Sequence, residues 1–376
     1  MTTGGSEAAD RAACASCLRR SWLLAQLSGP LDCNCRADGR LIDLLALGDD
    51  ELMRALAGRR LEELRGRHAR FQPSELARVD GIAEICRHDR GYPAALRAVA
   101  VAPTLFAAGG LTRLVGLTAR PVVAIVGTGR ATDYGIEIAR TLARGLAASG
   151  VTVAGELADG IGQAGLAGAL EGGGAAVSVL GGGMDVAAPA RRRPLLAEIK
   201  RAGVAVSELP CGTAPRRWCA AAGTRIVAAT AAVTVVVEAG DSTRELAGAR
   251  IAQALGRTVA AVPGRVSSRA SCGSHALLRE GAQLVSGAAD VLELLCDCGR
   301  PAQAPRDVRP QLEPRLRTVL ESVGAGMDTP QKLIGDGAEP GALLQALSEL
   351  ELMGLLARGD GGRYVARNAL DAPAVH

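Results

Sequence analysis

Residues 122–135 read VVAIVGTGRATDYG and contain the transition that decides the fold. Five apolar residues are followed by a turn with two glycines, and a helical periodicity begins after the turn. In that helix Ile136, Ala139 and Leu142 fall on one face, whereas Glu137 falls on the other. A short buried strand that passes through a glycine turn into an amphipathic helix is typical of a parallel sheet covered by helices.

The same alternation repeats toward the carboxyl end of the chain. Strands are predicted over 122–126, 151–154, 175–180, 204–207, 232–237, 258–262 and 282–285. Helices are predicted near 134–148, 162–173, 192–202, 219–229, 243–256 and 273–280. This order predicts an α/β fold with an extended Rossmann-like, mainly parallel sheet over residues 121–298.

Smaller segments flank the predicted sheet domain. They are a disordered tail (1–12), a small helical domain (13–66), a connector that joins the sheet domain (67–120), a Pro/Arg linker (299–311) and a compact segment (312–367). The last segment shows three short helical stretches followed by a hairpin pattern. That combination is typical of a winged-helix domain.

Composition excludes several classes of protein. Apolar residues make up 48% of the 376 residues, which excludes a chain that is disordered as a whole. Only seven residues are aromatic, so the main work of the protein is not the stacking of many unpaired bases. No segment approaches the roughly 18 apolar residues of a membrane helix, and the first ten residues show no signal pattern. We therefore expect a cytoplasmic protein, away from the membrane, whose ten cysteines are reduced.

Candidate binding residues follow the strands, because ligands of open parallel sheets bind at the carboxyl ends of the strands. Glycine-containing turns stand there, and their N–H groups at helix N-termini can bind phosphate without a catalytic residue. The candidate DNA- or phosphate-binding residues are Gly127, Thr128, Arg130, Thr132, Gly181, Gly182, Arg192, Arg225, Gly240 and Arg257. The alternative is that these glycines merely punctuate the loops of a glycine-rich chain.

Arg130 and Arg225 are candidates for reasons of their own. The first turn is neither a dinucleotide fingerprint, because Thr132 stands where glycine is required, nor a Walker A loop. It is still a plausible phosphate turn with Arg130 beside it. Arg225 lies among small and apolar neighbours, where an arginine needs a reason, and we expect it to line one anion pocket together with Arg130.

Catalytic and metal chemistry have weak support. The chain has four histidines and no Gly-x-Ser-x-Gly motif, so no catalytic residue and no cofactor are predicted. Cys14-x-x-Cys17 with Cys33-x-Cys35 could form a zinc site, but the second pair is one residue tighter than usual. We expect free thiols and no metal.

Several stretches, in this order and spacing, resemble the DNA-processing protein A (DprA or Smf) family over residues 14–367. They include Cys17–Leu24, Tyr92–Leu96, Ala124–Arg130, Val179–Asp185, Ser207–Pro210, Arg225–Ala228, Val235–Gly240, Ala261–Gly264 and Arg279–Ala282. The resemblance implies an N-terminal SAM-like helical domain, an extended Rossmann-like domain and a C-terminal winged helix. It further implies a homodimer that is not an enzyme. Such a protein binds single-stranded DNA without sequence preference and hands it to the RecA recombinase during natural transformation.

The chain departs from the family's pattern in the pocket. Gly129 stands where the family usually has arginine, and Gly223 and Thr224 replace an Arg-Asn pair. Two alternatives therefore stay open. One is a phosphoribohydrolase-like enzyme acting on nucleotides, for which Glu245 offers a carboxylate although the Pro-Gly-Gly-x-Gly core is missing. The other is a degenerate paralogue that has lost its DNA pocket.

Overall fold

The computed structural model describes residues 13–34, 40–99, 101–297, 313–324, 329–334, 340–353, 355–358 and 362–366. The chain divides into two compact units, residues 1–305 and 306–376. The predicted tail (1–12) and linker (299–311) lie outside the described residues.

A nine-stranded sheet forms the centre of the first unit. Its strands are β1 (Ile82–Cys86), β2 (Thr104–Ala108), β3 (Val122–Val126), β4 (Thr152–Glu156), β5 (Ala176–Val179), β6 (Val204–Ser207), β7 (Val233–Val236), β8 (Thr258–Ala261) and β9 (Gln283–Leu284). The order across the sheet is β1-β2-β6-β5-β4-β3-β7-β8-β9. Strands β3 to β9 pair in parallel, which confirms the predicted mainly parallel sheet and its seven strands.

Strands β1 and β2 correct the prediction for residues 67–120, which we expected to be only a connector. β2 pairs antiparallel with both β1 and β6, so this segment extends the sheet by two strands. Phe106 lies opposite Glu84 on one side and Ser207 on the other. Both strands pair antiparallel and so depart from the alternation of parallel strands and helices on which the prediction rested, although Gly109 and Gly110 lead from β2 into a helix over Leu111–Thr118.

Helices precede the sheet and cover it. The N-terminal helices are α1 (Ala15–Gln26), α2 (Ser28–Asn34), α3 (Arg40–Ala46), α4 (Asp49–Leu56) and α5 (Leu61–Arg70). Two helices lie between the first three strands, α6 (Ala94–Ala98) and α7 (Leu111–Thr118). The remaining helices follow strands β3 to β9: α8 (Asp133–Ala148), α9 (Ile161–Glu171), α10 (Arg193–Ala202), α11 (Arg217–Thr230), α12 (Thr243–Ala254), α13 (Cys272–Arg279) and α14 (Ala288–Asp297).

Helix α8 buries the predicted apolar face except at its start, where Ile136 is 37% exposed. Ala139, Leu142 and Leu146 are at most 3% exposed, whereas Glu137 on the opposite face is exposed. Helix α8 packs so closely against α9 that a Cβ at Gly168 would overlap the main chain of Arg140. This close packing fixes the loops at the start of both helices above the end of the sheet.

The strand order fixes where a ligand crevice would lie. From β3 the chain winds through β4, β5 and β6 on one side and then through β7 and β8 on the other. The loops after β3 and β7 therefore diverge at the point where the winding reverses, which is the usual ligand crevice of such sheets.

The second unit contains three helices and a hairpin. They are α15 (Pro314–Gly324), α16 (Pro330–Ile334), α17 (Pro340–Leu352), β10 (Leu356–Arg358) and β11 (Tyr364–Ala366). The two strands pair antiparallel. Leu316, Leu347, Leu350, Leu356 and Tyr364 are buried in its core. Across both units, none of the described helices has the length and apolar character that crossing a membrane requires.

Candidate functional site

The crevice between the loops after β3 and β7 is bridged by the carboxylate of Glu238. The backbone N–H and the hydroxyl of Thr132 donate to this carboxylate at 2.9 and 2.7 Å. The backbone N–H of Thr128 donates to the carbonyl oxygen of Glu238 at 2.7 Å. Gly127 and Gly135 permit this approach, because a Cβ at either position would overlap an oxygen of Glu238. Glu238 and the loop after β3 thus fill the space in which a ligand of this crevice would bind.

A second carboxylate, that of Glu245, lies in the same place. It accepts a hydrogen bond from the hydroxyl of Thr128 at 2.7 Å and another from the backbone N–H of Gly240 at 2.5 Å. The structure therefore brings the predicted Gly127, Thr128, Thr132 and Gly240 together. Two anionic side chains among them oppose a phosphate deep in the crevice.

Other donors at the carboxyl edge of the sheet are not engaged by described residues. Within the described part of the chain, the backbone N–H groups of Gly129 and Gly181 make no hydrogen bond, and neither does the exposed side chain of Arg130. Gly182 lies beside Gly181 but is buried, and its carbonyl oxygen accepts from the hydroxyl of Ser207 at 2.7 Å. Arg130 and Gly181 are thus the predicted residues whose donors face solvent.

Arg192 lies between β5 and α10, and its charge is already paired. It donates to the carboxylate of Asp159 at 3.0 and 2.9 Å and to the carbonyl oxygen of Leu157 at 3.2 Å. Arg191 contacts the same carboxylate. The hydrogen bond from Arg192 and the charges of both arginines lower the pKa of Asp159 below its usual range. Arg192 therefore holds the loop after β4 instead of offering a free cation.

Arg225 has a partner that the sequence did not reveal. It lies in α11, where its guanidinium forms a buried ion pair with Glu208 at 2.5 Å, the two side chains being 8% and 3% exposed. The pair faces a cavity of about 390 Å³ that is also lined by Arg20 and Asp49 of the N-terminal helical segment. No described contact joins Arg225 to Arg130. We expected Arg225 and Arg130 to line one anion pocket, whereas in the structure Arg225 is held by Glu208 in a cavity lined by the N-terminal helical segment.

Arg257 lies at the opposite edge of the sheet from the glycine turns. It immediately precedes β8, and the residue before a parallel strand lies at the amino edge of the sheet. The prediction that placed Arg257 with the carboxyl-edge residues is wrong about position.

Other arginines occupy the carboxyl edge and were not put forward as site residues. These arginines are exposed and form no ion pair with a described residue. Together with Arg130 they make up what we call the arginine rim: Arg130, Arg216, Arg217, Arg265 and Arg269. Arg216 and Arg217 follow β6, and their loop approaches the glycine turn after β5, where the N–H of Gly183 donates to the carbonyl oxygen of Thr213 at 2.8 Å. Their position after strands could have identified them from the sequence. Their exposure and their lack of ion pairs with described residues could not, because both depend on the folded structure.

The arginine rim spans several strands. The loops that carry it follow β3, β6 and β8, and β6 lies five strand positions from β8. At about 4.8 Å per position, the rim extends over roughly 24 Å. A row of cations of this length suits a linear polyanion better than a single small molecule.

Three thiols and one imidazole form a separate group, and two of its members, Cys17 and His88, line the cavity beside Arg225. The ligand atoms of Cys14, Cys17, Cys86 and His88 all lie within 4.8 Å of one another. Cys33, which the sequence grouped with Cys14 and Cys17, is exposed and does not belong to this group, and Cys35 lies outside the described residues.

Comparison with known proteins agrees with the architecture. The model of the family described as DNA recombination-mediator protein A matches residues 83–296. A DNA processing protein DprA of Mycobacterium tuberculosis (strain H37Rv) is 40% identical over 283 residues, which are 74% of this chain and 72% of that protein. Protein Smf of Escherichia coli (strain K12) is 31% identical over 257 residues, covering 66% of this chain and 68% of its own.

Solved structures show the same fold. The X-ray structure of DprA from Streptococcus pneumoniae superposes with a TM-score of 0.59 at 26% identity, covering 74% of this chain and 95% of that one. A structure of DprA from Helicobacter pylori, described for its single-stranded DNA binding mode, gives a TM-score of 0.51 at 24% identity over 57% of this chain and 96% of that one. The chain belongs to the DNA recombination-mediator protein A family, that of the DprA and Smf proteins.

Proposed function

We propose that this protein binds single-stranded DNA without sequence preference along the arginine rim. The observation that carries the proposal is a row of exposed arginines at the carboxyl edge of a family-typical sheet, none of which forms an ion pair with a described residue. Because the chain has a net charge of only +4, a local basic rim explains phosphate binding better than a generally basic surface does. The single-stranded DNA binding named for the Helicobacter pylori relative supports the choice of ligand.

The closed crevice argues against the alternative of a nucleotide-processing enzyme. Glu245, the carboxylate that such an enzyme would use, is already engaged by Thr128 and Gly240. Glu238 fills the space beside it. A nucleoside monophosphate bound there would place its phosphate against two carboxylates. We therefore propose a binding protein and not an enzyme.

The family resemblance supports the wider role. We propose that the protein acts as a cytoplasmic homodimer that protects incoming DNA and loads the RecA recombinase during natural transformation. The helices of residues 13–66 support a SAM-like domain, and the three helices and hairpin of residues 313–366 support a winged helix.

Titration of labelled oligothymidine over a series of salt concentrations tests the binding proposal. The combined variant Arg130→Ala, Arg216→Ala and Arg217→Ala removes three rim cations. We expect it to lose at least about a hundredfold in affinity, or about 3 kcal/mol at about 1 kcal/mol for each contact. The slope of log affinity against log salt should fall by about 2, because each contact to a single strand contributes about 0.7.

Arg120→Ala is the matched control. Arg120 is also exposed and has no ion pair among the described residues, but it precedes β3 and so lies at the amino edge, whereas Arg130 follows the same strand. The control should bind like the wild type. Equal binding by the triple variant and the wild type would overturn the proposal. Release of free base from a nucleoside monophosphate would favour the enzyme, and failure of the wild type to bind at low salt would favour the degenerate paralogue.

A further inference from the structure

Three cysteines and one histidine converge where the N-terminal helical segment meets the edge of the sheet. Cys14 immediately precedes α1 and Cys17 lies in its first turn. Cys86 ends strand β1, and His88 follows two residues later. Two segments about 70 residues apart in sequence thus contribute two ligand-type side chains each. Their four ligand atoms lie within 4.8 Å of one another.

The spacing of these atoms fits a tetrahedral zinc ion. Zn–S bonds of about 2.3 Å and Zn–N bonds of about 2.0–2.1 Å place sulfur and nitrogen roughly 3.6 Å apart around a tetrahedron. The Nδ1 atom of His88 lies 3.3 Å from the sulfur of Cys14, 3.4 Å from that of Cys17 and 3.9 Å from that of Cys86. The three distances scatter around the expected value.

Packing or hydrogen bonding alone explains this arrangement poorly. A neutral imidazole nitrogen accepts or donates one good hydrogen bond, yet three sulfur atoms surround the same nitrogen of His88. Further hydrogen-bonding groups lie beside the sulfurs. The backbone N–H of Cys14 lies 3.5 Å from the sulfur of Cys86, and the hydroxyl of Ser16 lies 3.2 Å from the sulfur of Cys14. Such outer contacts are typical of metal-bound thiolates.

We propose that Cys14, Cys17, Cys86 and His88 bind one structural zinc ion that fastens the N-terminal helical segment to strand β1. The chain supplies four ligands, so the site has no open position for a water nucleophile, as expected of a structural zinc. The second half of the site is Cys-x-His on the sheet, instead of the Cys33-x-Cys35 pair that sequence spacing suggested. The proposal replaces our expectation of free thiols and is independent of the DNA-binding proposal.

Metal content of the full-length protein tests the site directly. After purification without a metal-binding tag, elemental analysis should find about one zinc per chain. Cys86→Ser should lose nearly all of it, whereas the matched control Cys33→Ser should keep it. Protein that holds no zinc after incubation with the ion under reducing conditions would overturn the proposal. So would loss of zinc in Cys33→Ser with retention in Cys86→Ser, or stoichiometric iron in place of zinc.

A variant designed to keep its metal covers the case in which Cys86→Ser does not fold. His88→Cys converts three sulfurs and one nitrogen into four sulfurs and should still bind one metal ion. With cobalt(II) in place of zinc, its charge-transfer and ligand-field bands should differ from those of the wild type, because a thiolate replaces the imidazole. Identical cobalt spectra would show that His88 is not a ligand. A disulfide among the three cysteines in the reduced wild-type protein would equally contradict the site.

Discussion

The loop after β3 and the interior of α11 each hold an arginine among small residues, yet the two arginines have different surroundings. Arg130 is exposed, and its side chain has no partner within the described residues. Arg225 is buried and forms an ion pair with Glu208. The two arginines differ because the carboxylate of Glu208 lies within hydrogen-bonding distance of Arg225, and not because their local sequences differ. Availability for phosphate is therefore decided by neighbours that come from elsewhere in the chain.

The second unit follows the same rule. Arg315 pairs with Glu349 at 2.7 Å, and Arg358 lies 3.7 Å from Glu351 and stacks near the ring of Tyr364. Both glutamates belong to α17, which has no lysine or arginine. The helix that would enter a DNA groove in a winged helix is thus acidic, and two of its carboxylates hold nearby arginines.

The largest expected effect comes from breaking the buried pair. Arg225→Ala leaves the carboxylate of Glu208 buried without its cation, which should reduce the free energy of unfolding by about 3–5 kcal/mol. Thermal or urea denaturation measures this loss. At a temperature where the variant is still folded, its affinity for oligothymidine should equal that of the wild type.

An apolar replacement of both partners separates stability from binding. The Nε of Arg225 and the Oε1 of Glu208 find no hydrogen-bond partner among the described residues, so the pair is incompletely satisfied. The double variant Arg225→Met and Glu208→Leu should recover most of the stability. If the double variant is stable but binds DNA more weakly than the wild type does, Arg225 contacts phosphate and the contrast with Arg130 fails.

A smaller change in stability is expected from the protonation of Glu156, which lies at the carboxyl end of β4. Burial raises the pKa of this carboxyl group, although the hydroxyl of Thr224 donates to it and Arg244 lies near. Because the folded state then holds its proton more tightly than the unfolded state, stability falls as pH rises from the ordinary glutamate pKa through the folded-state value.

Glu156→Gln should remove that pH dependence. The variant should match the wild type at acid pH and melt higher at neutral pH, by about 2–4 °C for each kcal/mol of relieved burial cost. Melting curves between pH 4 and 8 measure the difference. A variant less stable than the wild type at neutral pH would show that the charged form is favoured at this position.

Local sequence patterns predicted the parallel part of the fold because each strand carries its own signal. The segment Val122–Gly135 alone contains a buried strand, a glycine turn and a helix start, and the structure has all three. Strand β2 is also followed by two glycines and the start of α7, but this pattern does not give its direction in the sheet. Its place is set by antiparallel pairing with β6, about 100 residues later, which no local pattern records.

The site was predicted less completely for the same reason. Thr128 and Thr132 were identified from their turn, but the carboxylates that engage them follow more than 100 residues later in the sequence. Arg192 and Arg257 looked alike as basic residues near glycine turns. Strand direction places Arg257 at the amino edge, and Asp159 neutralises Arg192. Cys86 and His88 likewise meet Cys14 only through tertiary packing.

The central claim is that unpaired rim arginines, and not arginines in general, bind single-stranded DNA. The most direct measurement compares the salt dependence of oligothymidine binding for Arg130→Ala and Arg192→Ala, two single substitutions at the same edge of the sheet. Arg130→Ala should lower the slope by about 0.7 and weaken binding, whereas Arg192→Ala, whose charge is held by Asp159, should leave the slope unchanged. An equal reduction of the slope in both variants, or a reduction only in Arg192→Ala, would contradict the claim.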